Sequence, residues 1–426
     1  MKVLIMSHNP ITDYNSMGKT FLGLFSEFSQ DELCQFYIYP TIPNIKCCKS
    51  YYRITDKEAL RSIIKRKNVG RQILDKEIVP QNTLFENKNS SKMYKSKESH
   101  TEIKILIRDI IWKFSAFKSK KFLNWLLKEK PDVIFAAPGP SGFFYNLILY
   151  TAKKLNIPIV TYVCDDFYFC NKNKKGIIKK IYAHHIRKKI KTLIKSSNYV
   201  ITISNELAKD YTAEFNCKCA TIFTGSALKN CAILHNTEKT VSYFGNLQLG
   251  RYKSLADVAK TIDLYNLKNK ENFVLNIYTA DKSPQISLAF NGISCARFCG
   301  FLSADKMYAE MKKASVLLHI ESFESEYTER IKYSISTKIA DSLASGVCLL
   351  GYGPAGIASI EYLQKNNCAF VATNKDELYN SLFECLSNPE SRNKKVVNAL
   401  KTANENHDKS HQSKILKTIL LRVIKD

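Results

Sequence analysis

Residues 131–163 read PDVIFAAPGPSGFFYNLILYTAKKLNIPIVTYV. Within them, Val133 to Ala152 carries no charge and is about long enough to span a bilayer. Its centre is Pro138-Gly139-Pro140-Ser141-Gly142, which would break a spanning helix where lipid offers no replacement hydrogen bonds. The stretch therefore reads as a buried strand (PDVIFAA), a tight turn, a helix over Gly142–Leu155 and a second strand (IPIVTYV). Two apolar strands joined by a helix are the unit of a parallel α/β sheet, and that reading decides the fold class.

The same alternation extends in both directions. Upstream, KVLIMS is an apolar strand, HNPITDYNSMGKT a polar loop, Phe21–Phe28 an amphipathic helix and CQFYIYP another strand. Downstream, Lys174–Ile194 and Asn205–Phe215 read as helices, YVITIS and CATIFTG as strands. Residues from about 44 to 105 are rich in Lys, Asn and Ser, as in ENKNSSKMYKSKESH, and read as a surface insertion. After a polar connector over 226–238 the pattern restarts. TVSYFG, NFVLNIYT, ARFCGF, SVLLHI, VCLLGYG and CAFVAT are strands with helices between them, and 375–425 is helical. The fold expected is α/β, with two doubly wound, Rossmann-like domains facing across a cleft. Residues 1–225 make the first and 239–400 the second, with 401–426 a closing helix.

The chain has 426 residues, 45% of them hydrophobic, enough for two folded domains. Lys and Arg number 64 against 39 Asp and Glu, a formal net charge of +25, which favours phosphate-bearing partners. The 13 cysteines lack framework or zinc-ligand spacing, so reduced thiols in a cytoplasmic protein are expected. The opening MKVLIMSHNP has too short an apolar run for a signal peptide.

Several positions could carry chemistry. In SISTKIADSLASG (334–346), Ser336 and Thr337 are good helix caps, yet Lys338 falls in the first turn, where the helix dipole disfavours a cation. An anion bound at that helix end accounts for it, with Asp341 one turn on to accept hydrogen bonds from whatever carries the anion. In GNLQLGRYKSL, Gly245 ends a strand and Asn246, Arg251 and Lys253 follow. That suits a diphosphate at the sheet's carboxyl edge; a solvated loop is the plainer reading. HIESFESEY places Glu321 at another strand end, better read as a loop lining the cleft than as a metal site. DYNSMGKT lacks the first glycine of a phosphate-wrapping Walker loop, because Asp13 stands there. Gly18 leaves that segment either a ligand-lining loop or an ordinary strand–helix turn. Asp165 and Asp166, just past a buried strand, could hold a metal, act as a base, touch an acceptor hydroxyl or cap the next element.

Residues 171–195, NKNKKGIIKKIYAHHIRKKIKTLIK, carry ten Lys or Arg and no acid. Such a helix can lie on anionic lipid, or pack its isoleucines on the sheet with its lysines in water, and the two are compatible. No aromatic interleaving accompanies the charge, so nucleic acid is not expected as a partner.

SYFGNLQLGRYKSL, ITISNELAKDYTAEFNCKCATIF, RFCGFLSADKMYAEMKKASVLLHIESF and, most specifically, STKIADSLASGVCLLGYGPAGIASIEYL resemble the GT-B glycosyltransferases, most nearly family 4. The resemblance implies that a nucleotide-diphosphate sugar binds the C-terminal domain and the acceptor the N-terminal one. Asp341 would take the place of the family's ribose-holding glutamate; the companion glutamate falls at Tyr333 and is absent. Ser336, Thr337 and Lys338 would face the diphosphate, joined by Gly245, Asn246, Lys253 and Glu321. The catalytic groups implied are Arg251, Lys338 and Asp166, with His8, Gly18 and Asp165 facing the acceptor. Transfer would retain the anomeric configuration and need neither metal nor any cofactor besides the donor. A glycan or lipid-linked acceptor is expected, and location in the cytoplasm, peripheral on the inner face of the plasma membrane. The rival readings are an epimerase, a transferase of another donor class, or a non-catalytic module on anionic membrane, which the residue at Tyr333 favours.

Overall fold

The computed structural model describes residues 1–65, 69–80, 102–229, 231–234, 236 and 238–426. They form two compact units, Met1–Ile222 with Ser410–Asp426, and Phe223–Lys409. Each is built on its own mainly parallel sheet, as the alternation of strand and helix patterns requires.

In the first unit the strands are β1 (Val3–Ser7), β2 (Leu33–Tyr37), β3 (Ser50–Arg53), β4 (Arg71–Ile73), β5 (Val133–Ala137), β6 (Ile159–Val163), β7 (Tyr199–Thr202) and β8 (Cys219–Thr221). They lie in the order β4-β3-β2-β1-β5-β6-β7-β8. Every neighbouring pair is parallel except β3 with β4. The helices are α1 (Ser16–Leu24), α2 (Asp56–Ile64), α3 (Glu102–Phe114), α4 (Lys120–Glu129), α5 (Gly142–Leu155), α6 (Ile177–Ser196) and α7 (Asn205–Phe215).

The stretch 131–163 folds as β5-α5-β6. Both strands are buried along their length, which explains their unbroken apolar runs. The free amides of Gly142 and Phe143 at the start of α5 donate to the buried Asp109 carboxylate at 3.0 and 3.1 Å, a negative cap on a helix N-terminus. No helix among the described residues is long and apolar enough to cross a membrane.

Part of the expected insertion is sheet. Ser50–Arg53 pairs parallel with β2, and Tyr51, Tyr52 and Ile54 are buried. The lysine-rich composition of the window hid a short aromatic strand. Residues 66–68 and 81–101 of the expected insertion lie outside the described residues.

The second unit contains β9 (Thr240–Phe244), β10 (Val274–Tyr278), β11 (Ala296–Phe298), β12 (Val316–Ile320), β13 (Cys348–Tyr352) and β14 (Phe370–Ala372). Its order, β11-β10-β9-β12-β13-β14, is all parallel and is the 3-2-1-4-5-6 arrangement of dinucleotide-binding sheets. Its helices are α8 (Arg251–Asn269), α9 (Pro284–Ala289), α10 (Ala304–Lys313), α11 (Ser325–Ile331), α12 (Thr337–Ala344), α13 (Ala358–Lys365), α14 (Lys375–Ser387) and α15 (Pro389–Asn406). The last helix, α16 (Lys409–Lys425), returns to the first unit, where Leu416, Leu420 and Val423 join the core of β1, β5 and β7. The 13 cysteines are free, six of them buried.

Candidate functional site

In a doubly wound sheet, ligands bind beyond the carboxyl ends of the strands where the strand order reverses. Each unit has a cavity at that point.

In the second unit the reversal lies between β9 and β12. The cavity there is lined by Gly245 and Asn246 after β9, His319 and Glu321 at the end of β12, and Arg251, Ser336, Lys338 and Asp341. Arg251 is the first residue of α8, and Ser336 caps α12, its hydroxyl accepting from the Lys338 amide at 3.4 Å. Two helix starts therefore contribute to one cavity, each with a cation in its first turn. Two helix N-termini and two cations in that arrangement suit a di-anionic ligand.

The walls are electrostatically ordered. Arg251 donates from Nε to the Glu321 carboxylate at 2.9 Å, with a second nitrogen of the fork at 2.8 Å, and a third contact reaches the Asn246 side-chain oxygen at 3.2 Å. Burial pushes the Glu321 carboxyl up, and Arg251 opposes it. His319 is buried beside them, its Nε2 at 3.0 Å from the Ser359 hydroxyl. Burial, then the charges of Arg251 and Lys338, lower its imidazole to about 3. It stays neutral at ordinary pH.

Asp341 is already engaged. One carboxylate oxygen accepts from the Ser226 hydroxyl at 2.7 Å and the Ala227 amide at 3.1 Å, the other from the Tyr308 hydroxyl at 3.3 Å. Tyr333 is buried and does not line the cavity.

A second hollow adjoins the first, sharing Phe244, Gly245, Asn246, Met307 and Lys338. Phe244 stacks on Tyr278 with ring centres 4.6 Å apart, and Phe301, Leu302, Thr279 and Asp281 complete the lining. The sequence reading missed this aromatic wall, and Tyr308 and Ser226 with it. Phe244 and Tyr278 end adjacent parallel strands in register, so only the pairing of β9 with β10 reveals them.

Lys253 and Thr337 are not among the lining residues; Lys253 pairs with Glu324 on the exposed face.

The first unit's cavity, about 600 Å3 and in the size range of ligand sites, lies where order reverses between β1 and β5. Ser7 ends β1 and His8 and Asn9 follow it, Pro138–Ser141 follow β5, and Asp165 follows β6; α3 adds Lys104, Ile105 and Arg108. His8 packs on the Phe144 ring at 4.6 Å. Of the expected acceptor-side residues, His8 and Asp165 meet here and Gly18 does not. Asn15 caps α1, accepting from the Gly18 amide at 2.7 Å. Gly18 is thus inside the helix rather than on a loop, pressed against the Thr12 backbone with no room for a Cβ. Asp166, expected as a catalytic carboxylate, instead accepts from the amides of Tyr168, Phe169 and Cys170 at 2.8–3.0 Å. It is buried and holds the loop after β6, the capping alternative. Among the described residues no group of His, Cys, Asp and Glu is arranged to hold a metal ion.

No protein-family model matches the sequence, and no curated protein matches it. Solved structures do match in three dimensions. HepE of Anabaena, determined with UDP and glucose, is 10% identical with a TM-score of 0.60, covering 99% of this chain and 100% of its own. Sucrose-phosphate synthase of Thermosynechococcus elongatus is 10% identical with a TM-score of 0.64, over 100% and 99%. WaaG, a glycosyltransferase involved in lipopolysaccharide biosynthesis, is 12% identical with a TM-score of 0.55, over 98% and 99%. These likenesses establish the fold. The chain has the two-sheet GT-B architecture of glycosyltransferases.

Proposed function

We propose that the protein is a glycosyltransferase whose second unit binds a nucleotide-diphosphate sugar and whose first unit binds the acceptor. The observation that carries this reading is the lining of one cavity, at the strand-order reversal of the second sheet, by Arg251, Lys338 and the starts of α8 and α12. The structural likeness to HepE, whose structures hold UDP and UDP-glucose, supports the donor class.

In this reading the diphosphate lies against the α12 start and Lys338, with Arg251 on its other side. The aromatic hollow of Phe244, Tyr278 and Phe301 takes the base, and Asp341 faces the ribose. Transfer breaks the bond between the anomeric carbon and the donor phosphate oxygen and makes one to an acceptor hydroxyl, whose proton passes to the departing phosphate oxygen. Negative charge grows on the leaving nucleoside diphosphate. Lys338, Arg251 and helix amides stabilise it without a metal ion, and the anomeric configuration is retained. His8 and Asp165 line the acceptor cavity, and the acceptor is a glycan or lipid-linked glycan of a cell-surface polysaccharide.

A divergent GT-B protein without transferase activity, or an epimerase, is the second reading. Two observations favour it: no carboxylate stands at Tyr333, and the Asp341 carboxylate already serves Ser226, Ala227 and Tyr308. A thermal-shift screen against UDP, GDP, ADP and CMP, with and without magnesium, separates the readings. A ligand bound only by the folded state raises its melting temperature. A selective, magnesium-independent rise with one nucleoside diphosphate is expected; no rise at millimolar concentration with any of them would remove the transferase reading.

A further inference from the structure

α3 exposes an apolar stripe along its whole length. Ile103, Ile107, Ile110 and Phe114 follow one another at spacings of four, three and four, and all are exposed, Phe114 to 63%. The opposite side of the helix, Ile105, Asp109 and Trp112, is buried in the first unit. A helix that buries one face and leaves a second apolar face in water has a use for that face.

Its neighbours repeat the pattern. α3 packs against α2 and α6. Arg108 and Trp112 both donate to Asp56 of α2, at 2.9 and 2.7 Å, and Asp109 meets Nε2 of His185 on α6 at 2.8 Å. α2 exposes Leu60, Ile63 and Ile64; α6 exposes Ile177, Ile178 and Ile181, the first to 79%. The isoleucines of α6 thus divide. Ile186, Ile190 and Ile194 pack inward, while the three at its start do not.

The charge around these residues is predominantly positive. Lys57, Arg61 and Lys65 on and after α2, Lys104 and Lys113 on α3, and Lys179 and Lys180 on α6 are exposed. α6 has no acid, and Asp56 and Asp109 are taken up by Arg108, His185 and helix amides. Glu58 closes the capping box of α2 with Thr55, which leaves Glu102 at the start of α3 against seven exposed cations. Apolar side chains ringed by cations match a surface that is anionic outside and hydrocarbon beneath. A partner protein would need an acidic rim of the same outline; an anionic bilayer provides both features by its nature.

We propose that α2, α3 and α6 form a docking surface for anionic lipid, with the α3 stripe and the first turns of α6 entering the headgroup–acyl boundary. α3 also supplies Lys104, Ile105 and Arg108 to the first unit's cavity. Docking by this helix therefore brings the rim of that cavity to the headgroups, whatever the cavity binds.

The test is co-sedimentation of the full-length protein with vesicles of phosphatidylcholine alone and of phosphatidylcholine with phosphatidylglycerol in equal parts. The protein is expected on the anionic vesicles only, with binding weakened by added salt. Ile107→Ser with Ile110→Ser, on exposed positions, should lower vesicle affinity about tenfold or more at an unchanged melting temperature. Lys179→Gln with Lys180→Gln should lower it in low salt, and Leu267→Ser, exposed in the second unit, should leave it unaltered. The proposal falls if the protein binds neither vesicle, or if the α3 variant binds like the parent. It also falls if that variant splits a dimer in solution while the parent ignores lipid, which would give the face to a second copy of the chain.

Discussion

Arg251 and Glu321 form a forked ion pair, with two guanidinium nitrogens within 2.9 Å of one carboxylate oxygen that is almost wholly buried. The pair joins the first residue of α8 to the end of β12, across the point where strand order reverses. It therefore fixes where the guanidinium sits in the cavity, and it makes Glu321 depend on Arg251.

Removing Arg251 alone strands a buried carboxylate, which typically costs about 3–5 kcal/mol. Arg251→Ala should lower the melting temperature sharply, and Arg251→Ala with Glu321→Gln should recover much of the loss. Neither variant should recover nucleotide affinity. Differential scanning calorimetry on the set checks this; equal melting temperatures for the single and double variants would show that the pair does not hold the fold.

Lys338 has a different balance. It is half-buried in the first turn of α12, where its charge opposes the helix dipole. Lys338→Ala should leave the protein as stable as before, or slightly more so. It should weaken nucleoside diphosphate binding about 10- to 100-fold, the usual worth of a charge-assisted contact. Calorimetric titration with UDP and with uridine distinguishes the source, because only the diphosphate should lose affinity.

The strands and most helices were legible because period and burial coincide. β5-α5-β6 is apolar on both strand faces, and α5 and α7 keep the bounds read from the sequence. Arg251, Glu321 and Lys338 each lie at a strand end or helix start, where local sequence reports position, and it was the resemblance to GT-B glycosyltransferases that grouped them with Asp341. What failed was non-local. Asp341 meets Ser226 across 115 residues, and no periodicity reports such a contact. Asp165 and Asp166 are adjacent and chemically alike, so only the loop's geometry shows that one lines a cavity and the other holds three amides. β3 was hidden by the lysines and serines around it, although its own residues are aromatic.

Gly18 shows how a local signal can be misread. Glycine suggested approach of the backbone to a ligand, but the close neighbour is the chain's own Thr12. Gly18→Ala should destabilise the first unit by about 1–3 kcal/mol, the cost of overpacking a tight contact. Ligand binding by the second unit should be unaffected. Urea unfolding followed alongside nucleotide titration tests both halves.

His407 and His319 set an acid limit on stability. His407 is buried, its Nδ1–H donating to the Thr224 carbonyl at 2.8 Å while Nε2 accepts from the Tyr362 hydroxyl at 2.9 Å. Burial lowers it to about 4, and His319 lies at about 3. Both are below the usual value near 6.5 in the unfolded chain. The unfolded state therefore binds more protons between these values, and stability must fall as pH drops from about 6.5 towards 4. His407→Gln removes one of the two groups and should flatten that slope while lowering stability at pH 7. An unchanged slope in melting temperature against pH would show that His407 is not buried as a neutral ring.

Asp341 offers the sharpest separation of structural from ligand-binding work. Its carboxylate anchors the Ser226-Ala227 segment through one oxygen and Tyr308 through the other. If it also faces the ribose of a bound nucleotide, Asp341→Asn keeps an oxygen for Ser226 and Ala227 but loses the charge offered to ribose hydroxyls. The variant should melt close to the parent and bind a ribonucleoside diphosphate about 10- to 100-fold more weakly, as for one charged hydrogen bond. The same substitution should cost little with the 2′-deoxynucleoside diphosphate, which lacks one hydroxyl. Ser226→Ala should behave oppositely, lowering stability by about 1 kcal/mol with affinity retained. Titrating both ligands against both variants reads this directly. Equal losses for the ribo and deoxy ligands would mean that Asp341 acts on binding only through the segment it anchors, and the ribose assignment would be withdrawn.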